Sequence, residues 1–541
     1  MTFNLKHNSI YHKSVIAFTL ILVLLGGACK KIDDTQSTRL QKETDSWKTI
    51  DDAKANLIGM YALMRNALAS DNGHWLMGDL RNGDFASTNR ADLQAIVEGR
   101  LNASYPVINS LTNWRRFYAV VNATTIFIER SSQIVKSDNR YTLANNNVDI
   151  AQARALRAFA YFYMVRIWGD VPLLTTTHDG DFIKAPRASK ERVLSFCKSE
   201  LLAAAQVVPF RYGGTDVILP GAYYGLTVST DPNWYGTLMT RISVYCLLAH
   251  VTAWQQNYLE TDIYTKFVLD NYTQLVEPGV TDYNCRYLTI NELTLNVRTN
   301  ETQQVNPFAY KRATQLVGYS FEYGYGYSSA NGHIEQLTLA APFVPKAQPE
   351  IYVPKDSIRK IFTNPLDLRF SVDPQTGLYR ENYFTQYGTQ RPMFSKVKII
   401  EAVANTSDYA VFSSAVLFTR LEEITLLRAE ALAVMGQRDN AIVALNKAAA
   451  LRGYIPFPDG STKDLINEIF AERRRELMGE GWRWYDLVRY NRIKRTNGTF
   501  ITKNGQPLTF AQAESAGAIY WPVSQDVINA NPGITQNNFW Q

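Results

Sequence analysis

Residues 421–453 read LEEITLLRAEALAVMGQRDNAIVALNKAAALRG, and their reading decides the fold. Apolar residues recur at helical spacing on both sides of Gly436. Small side chains lie among them at Ala429, Ala431, Ala441 and Ala448, with Leu445 on the second run. Two antiparallel helices approach closely only where small residues meet at the crossing, and a glycine lets the backbone turn between them. The stretch predicts a tight helical hairpin.

This arrangement reproduces much of the tetratricopeptide pattern, whose period is about 34 residues. A helical hairpin outside any repeat is the alternative reading. Other runs of helical periodicity lie at Asp51–Ala69, Trp114–Ile134, Ala151–Trp168, Lys190–Val207, Tyr235–Gln255 and Thr261–Leu275. They read as helix pairs joined by loops. Between Pro209 and Asn233, and again from about Glu277 to Ser414, Gly, Pro, Asn, Thr and Tyr become common and apolar runs shorten. Alternation in pieces such as MFSKVKII (393–400) predicts isolated strands among surface loops, the usual carriers of binding function. The expected fold class is mainly α, a tetratricopeptide-like scaffold with a loop-rich insertion holding a few short strands. Its expected parts are a helical region over 47–276, the insertion over 277–414 and a C-terminal region over 415–541, in one domain.

Residues 154–174, RALRAFAYFYMVRIWGDVPLL, carry five aromatic side chains within ten positions: Phe159, Tyr161, Phe162, Tyr163 and Trp168. On a helix, Leu156, Phe159, Ala160, Tyr163 and Ile167 form one apolar face, which Ala155, Ala158, Phe162 and Val165 widen. Arg154, Arg157 and Tyr161 are left as the predicted wet strip. Gly169 and Pro172 end the helix. The run therefore reads as scaffold and not as a stacking platform.

The first 28 residues are an address. Lys6 and Lys13 precede an apolar stretch, Val15–Gly27, shorter than the roughly 20 residues a bilayer span needs, so it reads as a signal-peptide core. Next, LLGGACKK places two glycines and an alanine directly before Cys29, which resembles a bacterial lipobox. The usual leucine three residues before the cysteine is replaced here by Gly26. On this resemblance Cys29 is diacylated and residues 29–46 form a tether; secretion with cleavage elsewhere is the alternative. Removing Lys6 and Lys13 takes two charges from the formal +6 and leaves about +4 on a chain of more than 500 residues. No basic stripe for nucleic acid results. Cys197, Cys246 and Cys285 have neither zinc spacing nor an even count, so one disulfide or three buried thiols both fit.

Signals of catalysis are weak. Two of the six histidines precede Cys29, and no HExxH pairing occurs. GYSFE (318–322) and GYGYSSANG (324–332) each lack a glycine that the nucleophile-elbow or dinucleotide pattern requires. Glu472, Glu476 and Glu480 raise the paired carboxylates of glycoside hydrolysis. They alternate with Arg473, Arg474, Arg475 and Arg483 at helical offsets, so mutual ion pairing along the helix accounts for them. No enzyme, metal or cofactor is expected. Ligand sites need aromatic faces beside polar donors. Two loops qualify: HWLMGDLRNGDF (74–85) with Trp75, Asp79, Arg81 and Asn82, and FEYGYGYSSANGH (321–333) with Tyr323, Tyr325 and Tyr327. Packing beneath a long loop is the bland reading of these tyrosines.

Taken with RALRAFAYFYMVRIWGDVPLL and the 421–453 repeat, IFAERRRELMGEGWRWYDLVRYNR (469–492) and IYWPVSQDVINANPGITQNNFW (519–540) complete a likeness in chain order. The chain resembles the SusD/RagB outer-membrane lipoproteins of Bacteroidetes. The resemblance implies four tetratricopeptide-like helix pairs, a ligand site on loops and no catalysis. It also implies a SusC-like TonB-dependent transporter as partner, an oligosaccharide or in some members a peptide as ligand, and attachment to the outer membrane through lipid alone. Asp33 and Asp34 after the cysteine resemble the family's surface-export signal, which places the protein on the outer face. A tetratricopeptide scaffold without a small ligand is the remaining class. Exchange of Cys29 for Ala is expected to move the protein from the membrane pellet to the soluble fraction of cells lacking the transporter; retention in the pellet would remove the anchor.

Overall fold

The computed structural model describes residues 46–177, 184–212, 237–276, 285–294, 306–309, 314–321, 332–402, 410–496, 501–503 and 506–541. Cys29, Tyr323, Tyr325 and Tyr327 lie outside the described residues. The long helices are α1 (Ile50–Ala69), α2 (Arg115–Arg130), α3 (Leu143–Trp168), α4 (Lys190–Ala205) and α5 (Arg241–Trp254). They continue with α6 (Tyr258–Asn271), α7 (Leu421–Val434), α8 (Arg438–Ala449), α9 (Leu465–Glu476) and α10 (Arg483–Lys494).

Local sequence sets the helix starts. At α1 the Thr49 hydroxyl accepts from the Asp52 N–H while the Asp52 carboxylate accepts from the Thr49 N–H, and Thr142 and Asn145 repeat this reciprocal cap at α3. That cap starts α3 eight residues before Ala151, in a polar stretch where the apolar period is silent. Within the scaffold α1 packs on α2, α3 on α4, α5 on α6 and α7 on α8. Each hairpin meets the next through α2 with α3, α4 with α5 and α6 with α7. This is the repeat expected from residues 421–453. Ala429, Ala431, Ala441, Leu445 and Ala448 are all buried, and Gly436 turns the chain at φ +78°.

The 154–174 run is core, as its pattern predicts, but the wet strip is not wet. Arg157 and Tyr161 are buried, because α4 and the segment after α3 cover that side. The Arg157 guanidinium donates to Glu200 of α4 at 3.1 Å, and the Tyr161 hydroxyl both donates to and accepts from the Leu174 backbone. Only Arg154 keeps substantial exposure, 38% of its side chain. Hydrogen bonding and ion pairing thus replace water on the polar side of α3.

The insertion is a set of short antiparallel strand pairs and short helices. Met393–Phe394, in the piece read as alternating, pairs with Phe384–Thr385. Val317–Tyr319 pairs with the buried strand Val416–Thr419, which leads directly into α7. Cys197, Cys246 and Cys285 are free and buried, so the disulfide alternative falls. Among the described residues no helix is long and apolar enough to cross a membrane.

Ala441, fully buried at the α7–α8 crossing, gives a test of the hairpin. Ala441→Leu is expected to lower unfolding free energy by about 1–3 kcal/mol through overpacking. Val443→Leu, on the exposed side of α8, is expected to stay within about 0.5 kcal/mol. Urea melts of both variants check it, and equal stabilities would refute the close crossing.

Candidate functional site

The segment after α1 is helical where a loop was expected, and the structure places most of its candidate residues inside the protein. Gly73–Trp75 is a helical turn and Leu76–Leu80 a widened π-helical one. Both are buried against the turn between α9 and α10. A Cβ on Gly78 would sit 2.0 Å from the Gly481 carbonyl oxygen, and one on Gly481 would sit 2.6 Å from the His74 ring. Only glycines allow this approach. The Asp79 carboxylate accepts from the Gly481 N–H, and burial raises its pKa to about 7. Arg81 donates to the Ile519 and Ala518 carbonyls at 2.8 and 2.6 Å and lies 3.9 Å over the Trp484 ring. Asn82 is half-buried with φ +45°, and its N–H donates to the Val97 carbonyl.

Trp75 is likewise no stacking surface, being 1% exposed. Its indole N–H donates to the Gly332 carbonyl at 3.0 Å, and the Gly332 N–H donates to the Asn72 side chain at 2.9 Å. Gly332 has φ +105°, and a Cβ there would press on Ala69 at 2.8 Å. On the other side, Arg65 donates to the Ser320 carbonyl at 3.0 Å and covers the Phe321 ring at 4.9 Å. Phe321 is therefore held by the end of α1 and Gly332 by the turn that follows it. The two loops singled out from sequence meet, with Trp75 as the anchor of the second.

Beside this junction the chain makes a turn with two successive non-glycine residues in the left-handed region, Asp71 and Asn72, both at φ +55°. Aspartate and asparagine tolerate that conformation best. The turn leaves the Asp71 carboxylate 36% exposed, with the Ser110 hydroxyl donating to it and Arg116 at 3.9 Å. Arg116 also donates to the Ser70 carbonyl at 3.0 Å, and burial lowers its pKa to about 10. Below lie His333 and Glu335. The His333 Nδ1 is 3.0 Å from the Ser414 carbonyl, and the Ser414 hydroxyl donates to Glu335 at 2.7 Å. Burial holds the imidazole down at about 4 and pushes the carboxyl up to about 7. Asp71 and Arg116 were missed by sequence reading. The only local signal was the Asp-Asn-Gly turn of residues 71–73.

The glutamates of α9 and the following turn are structural, with partners other than the expected helical neighbours. Glu476 accepts a bidentate pair from Arg452 at 2.8 and 2.7 Å, and contacts Arg420 at 2.9 Å and Arg369 at 3.0 Å. Glu480 pairs with Arg420 at 2.7 Å and with Lys396. Glu472 pairs with Arg369 at 2.8 Å and, at the expected i,i+3 spacing, with Arg475 at 2.9 Å. Arg473 turns away to Glu423 at 2.9 Å and Asp486 at 3.0 Å. Helical spacing named one partner, Arg475 for Glu472, and missed the distant arginines that hold Glu476 and Glu480.

These features define a class: a helix-repeat scaffold carrying an insertion of short strand pairs and short helices. A profile described as the SusD family matches residues 373–540. A crystal structure of a SusD superfamily protein from Bacteroides thetaiotaomicron is 42% identical, with a TM-score of 0.77 over 92% of this chain and 99% of that one. SusD-like protein P38 of Formosa agariphila is 24% identical over 97% of this chain and 99% of its own length. A laminarin-binding SusD-like protein of known structure shares the fold at a TM-score of 0.63 and 18% identity, over 91% and 99% of the two chains. The chain belongs to the SusD family.

Glu476→Gln keeps the shape but removes the charge facing three arginines, and is expected to cost about 3–5 kcal/mol at pH 7 in urea melts. Burial alone would raise the Glu476 carboxyl, but Arg452 and Arg420 outweigh it and hold the group well below the usual carboxylate range. Its stabilisation is therefore complete above the unfolded value of about 4.3 and disappears as pH falls through the depressed native value. Between about pH 4.3 and more acidic solution, stability should fall less steeply in Glu476→Gln than in the wild type. Parallel pH profiles would contradict this assignment.

Proposed function

We propose that this protein is a lipid-anchored protein of the outer membrane's external face, which captures an oligosaccharide and passes it to a SusC-like TonB-dependent transporter. The observation that carries the binding step is the clamp on Gly332, which borders the Gly/Tyr-rich residues 322–331 and is held by Asn72, the neighbour of the partly exposed Asp71 carboxylate. Sugars offer C–H faces to aromatic rings and hydroxyl edges to carboxylates and guanidinium groups. In this reading Tyr323, Tyr325 and Tyr327 supply the rings, and Asp71 with Arg116 supplies the polar partners. Trp75 holds Gly332 directly, and Asp79 and Arg81 fix the segment that carries Trp75. The laminarin-binding relative supports a glycan as the ligand class. The lipobox-like sequence at Cys29 supports the anchor, and the family likeness supports a transporter as partner. Binding without chemistry is the role of this face.

Calorimetry of residues 30–541 against a panel of oligosaccharides, laminarin fragments among them, and of peptides tests the reading. At least one glycan should bind. Tyr325→Ala should weaken it by about 1 kcal/mol, roughly fivefold, and Asp71→Ala by about 1.5–3 kcal/mol. Peptide binding with every glycan inert would transfer the protein to peptide capture, and inertness to both would leave a scaffold role.

A further inference from the structure

The connection between α8 and α9 forms one wall of an open cleft of about 540 Å³, within the range of roughly 300–1,000 Å³ usual for small-ligand sites. The facing wall is the Thr363–Asp367 segment, which follows the short helix Lys355–Ile361. Its floor is a face of α9 carrying Glu468 and Arg475, with buried Glu472 between them. Neither Asp71 nor any residue of the Gly332 clamp lines it.

The cleft is rigid. Asn446 donates to the Phe457 carbonyl at 2.8 Å and accepts from the Phe457 N–H at 3.0 Å, which fixes the middle of the connecting wall. Tyr454 is held from both sides, donating to Glu472 and accepting from Arg369 at 2.9 Å. The walls are joined where the Leu368 N–H donates to the Arg452 carbonyl at 2.9 Å. Such preorganisation lowers the ordering cost of binding.

Its chemistry selects a class of ligand. Lys463 faces Glu468 at 3.4 Å and Arg475 pairs with Glu472 at 2.9 Å, so the cations are matched and no anion is demanded. Thr363, Asp459 and Thr462 have no side-chain partner among the described residues. Ile455, 59% exposed, and Pro458 give uncovered apolar faces on the same wall. Unpaired hydroxyls and a carboxylate beside open C–H surfaces fit a neutral polyhydroxylated chain.

We infer that this cleft is a second saccharide-binding site, taking a short stretch of oligosaccharide independently of the Asp71 face. The ligand class rests on the oligosaccharide reading above; the location rests on the cleft alone. Two sites on one glycan would raise its effective affinity without new contacts at either.

Hydrogen–deuterium exchange of residues 30–541 with soluble oligosaccharides from laminarin, starch, xylan and mannan tests the inference in three backgrounds: wild type, Asp71→Ala and Thr462→Trp. Thr462 is exposed, so tryptophan there fills the cleft without entering the core. With a binding glycan, residues 454–463 should be protected in wild type and in Asp71→Ala and unprotected in Thr462→Trp. Thr462→Trp should also weaken the longest chains by roughly tenfold or more. Protection confined to the region around Gly332 would overturn the second site and leave the first intact. Loss of 454–463 protection in Asp71→Ala would overturn it too, and protection at neither place by any glycan would overturn both readings.

Discussion

Three buried arginines converge on Glu476, and that meeting ties the insertion, the start of α7 and the end of the α7–α8 hairpin to α9. Arg369 comes from the insertion, Arg420 from the end of the strand entering α7, and Arg452 from the end of the fourth hairpin. Around them Lys396 and Arg475 bring the cations to five, against Asp367, Glu422, Glu472, Glu476 and Glu480. The cluster is balanced. Desolvating each ion costs several kcal/mol, so the set is stable only when every partner is present in good geometry. Apolar packing is non-directional, whereas bidentate arginine–carboxylate pairs fix orientation. The insertion is thereby held to the helix repeat in one arrangement.

That arrangement extends to Gly332 by a traceable sequence of contacts. Glu480 belongs to the ion cluster, and its carbonyl oxygen lies 3.0 Å from Nε2 of His74. His74 stays neutral because burial, assisted by Arg166, lowers its pKa to about 3. A neutral ring can therefore donate to Glu480 through Nε2 and accept the Tyr163 hydroxyl at Nδ1. One residue on, Gly481 donates to Asp79. The 73–81 segment is thus seated on the cluster's own turn, and Asn72 and Trp75 carry the constraint to Gly332. Ionic order in the core becomes positional order at Gly332.

The helix repeat was legible because it is written locally. The small residues of 421–453 and the apolar period of α3 report burial through spacing alone. What spacing cannot report is which partner satisfies a buried polar group. Arg157 and Tyr161 read as wet because their partners, Glu200 and Leu174, lie on other segments. The α9 glutamates read as paired along the helix because arginines 24 to 107 positions away are invisible to a periodic argument. Trp75 and Arg81 failed for the same reason. A tryptophan and an arginine in a polar loop look like a ligand platform until backbone carbonyls from distant segments accept their donors.

This bears on where a ligand can be held. In the C-terminal third the carboxylates of Asp367, Glu422, Glu423, Glu430, Glu472, Glu476, Glu480 and Asp486 are committed to guanidinium groups in the dry interior, where they fix structure and cannot exchange partners with a sugar hydroxyl. A binding carboxylate must keep contact with water while its backbone is held still. Asp71 meets that condition because its left-handed turn is bracketed by the end of α1 and by the Gly332 clamp. Asp459 meets it because the reciprocal Asn446–Phe457 pair fixes its loop two residues earlier. Both lie on turns beside helix ends of the repeat, where rigid backbone and solvent coincide. On the proposed reading, the scaffold confines ligand contacts to its connections, and the few side chains those connections expose would select the glycan.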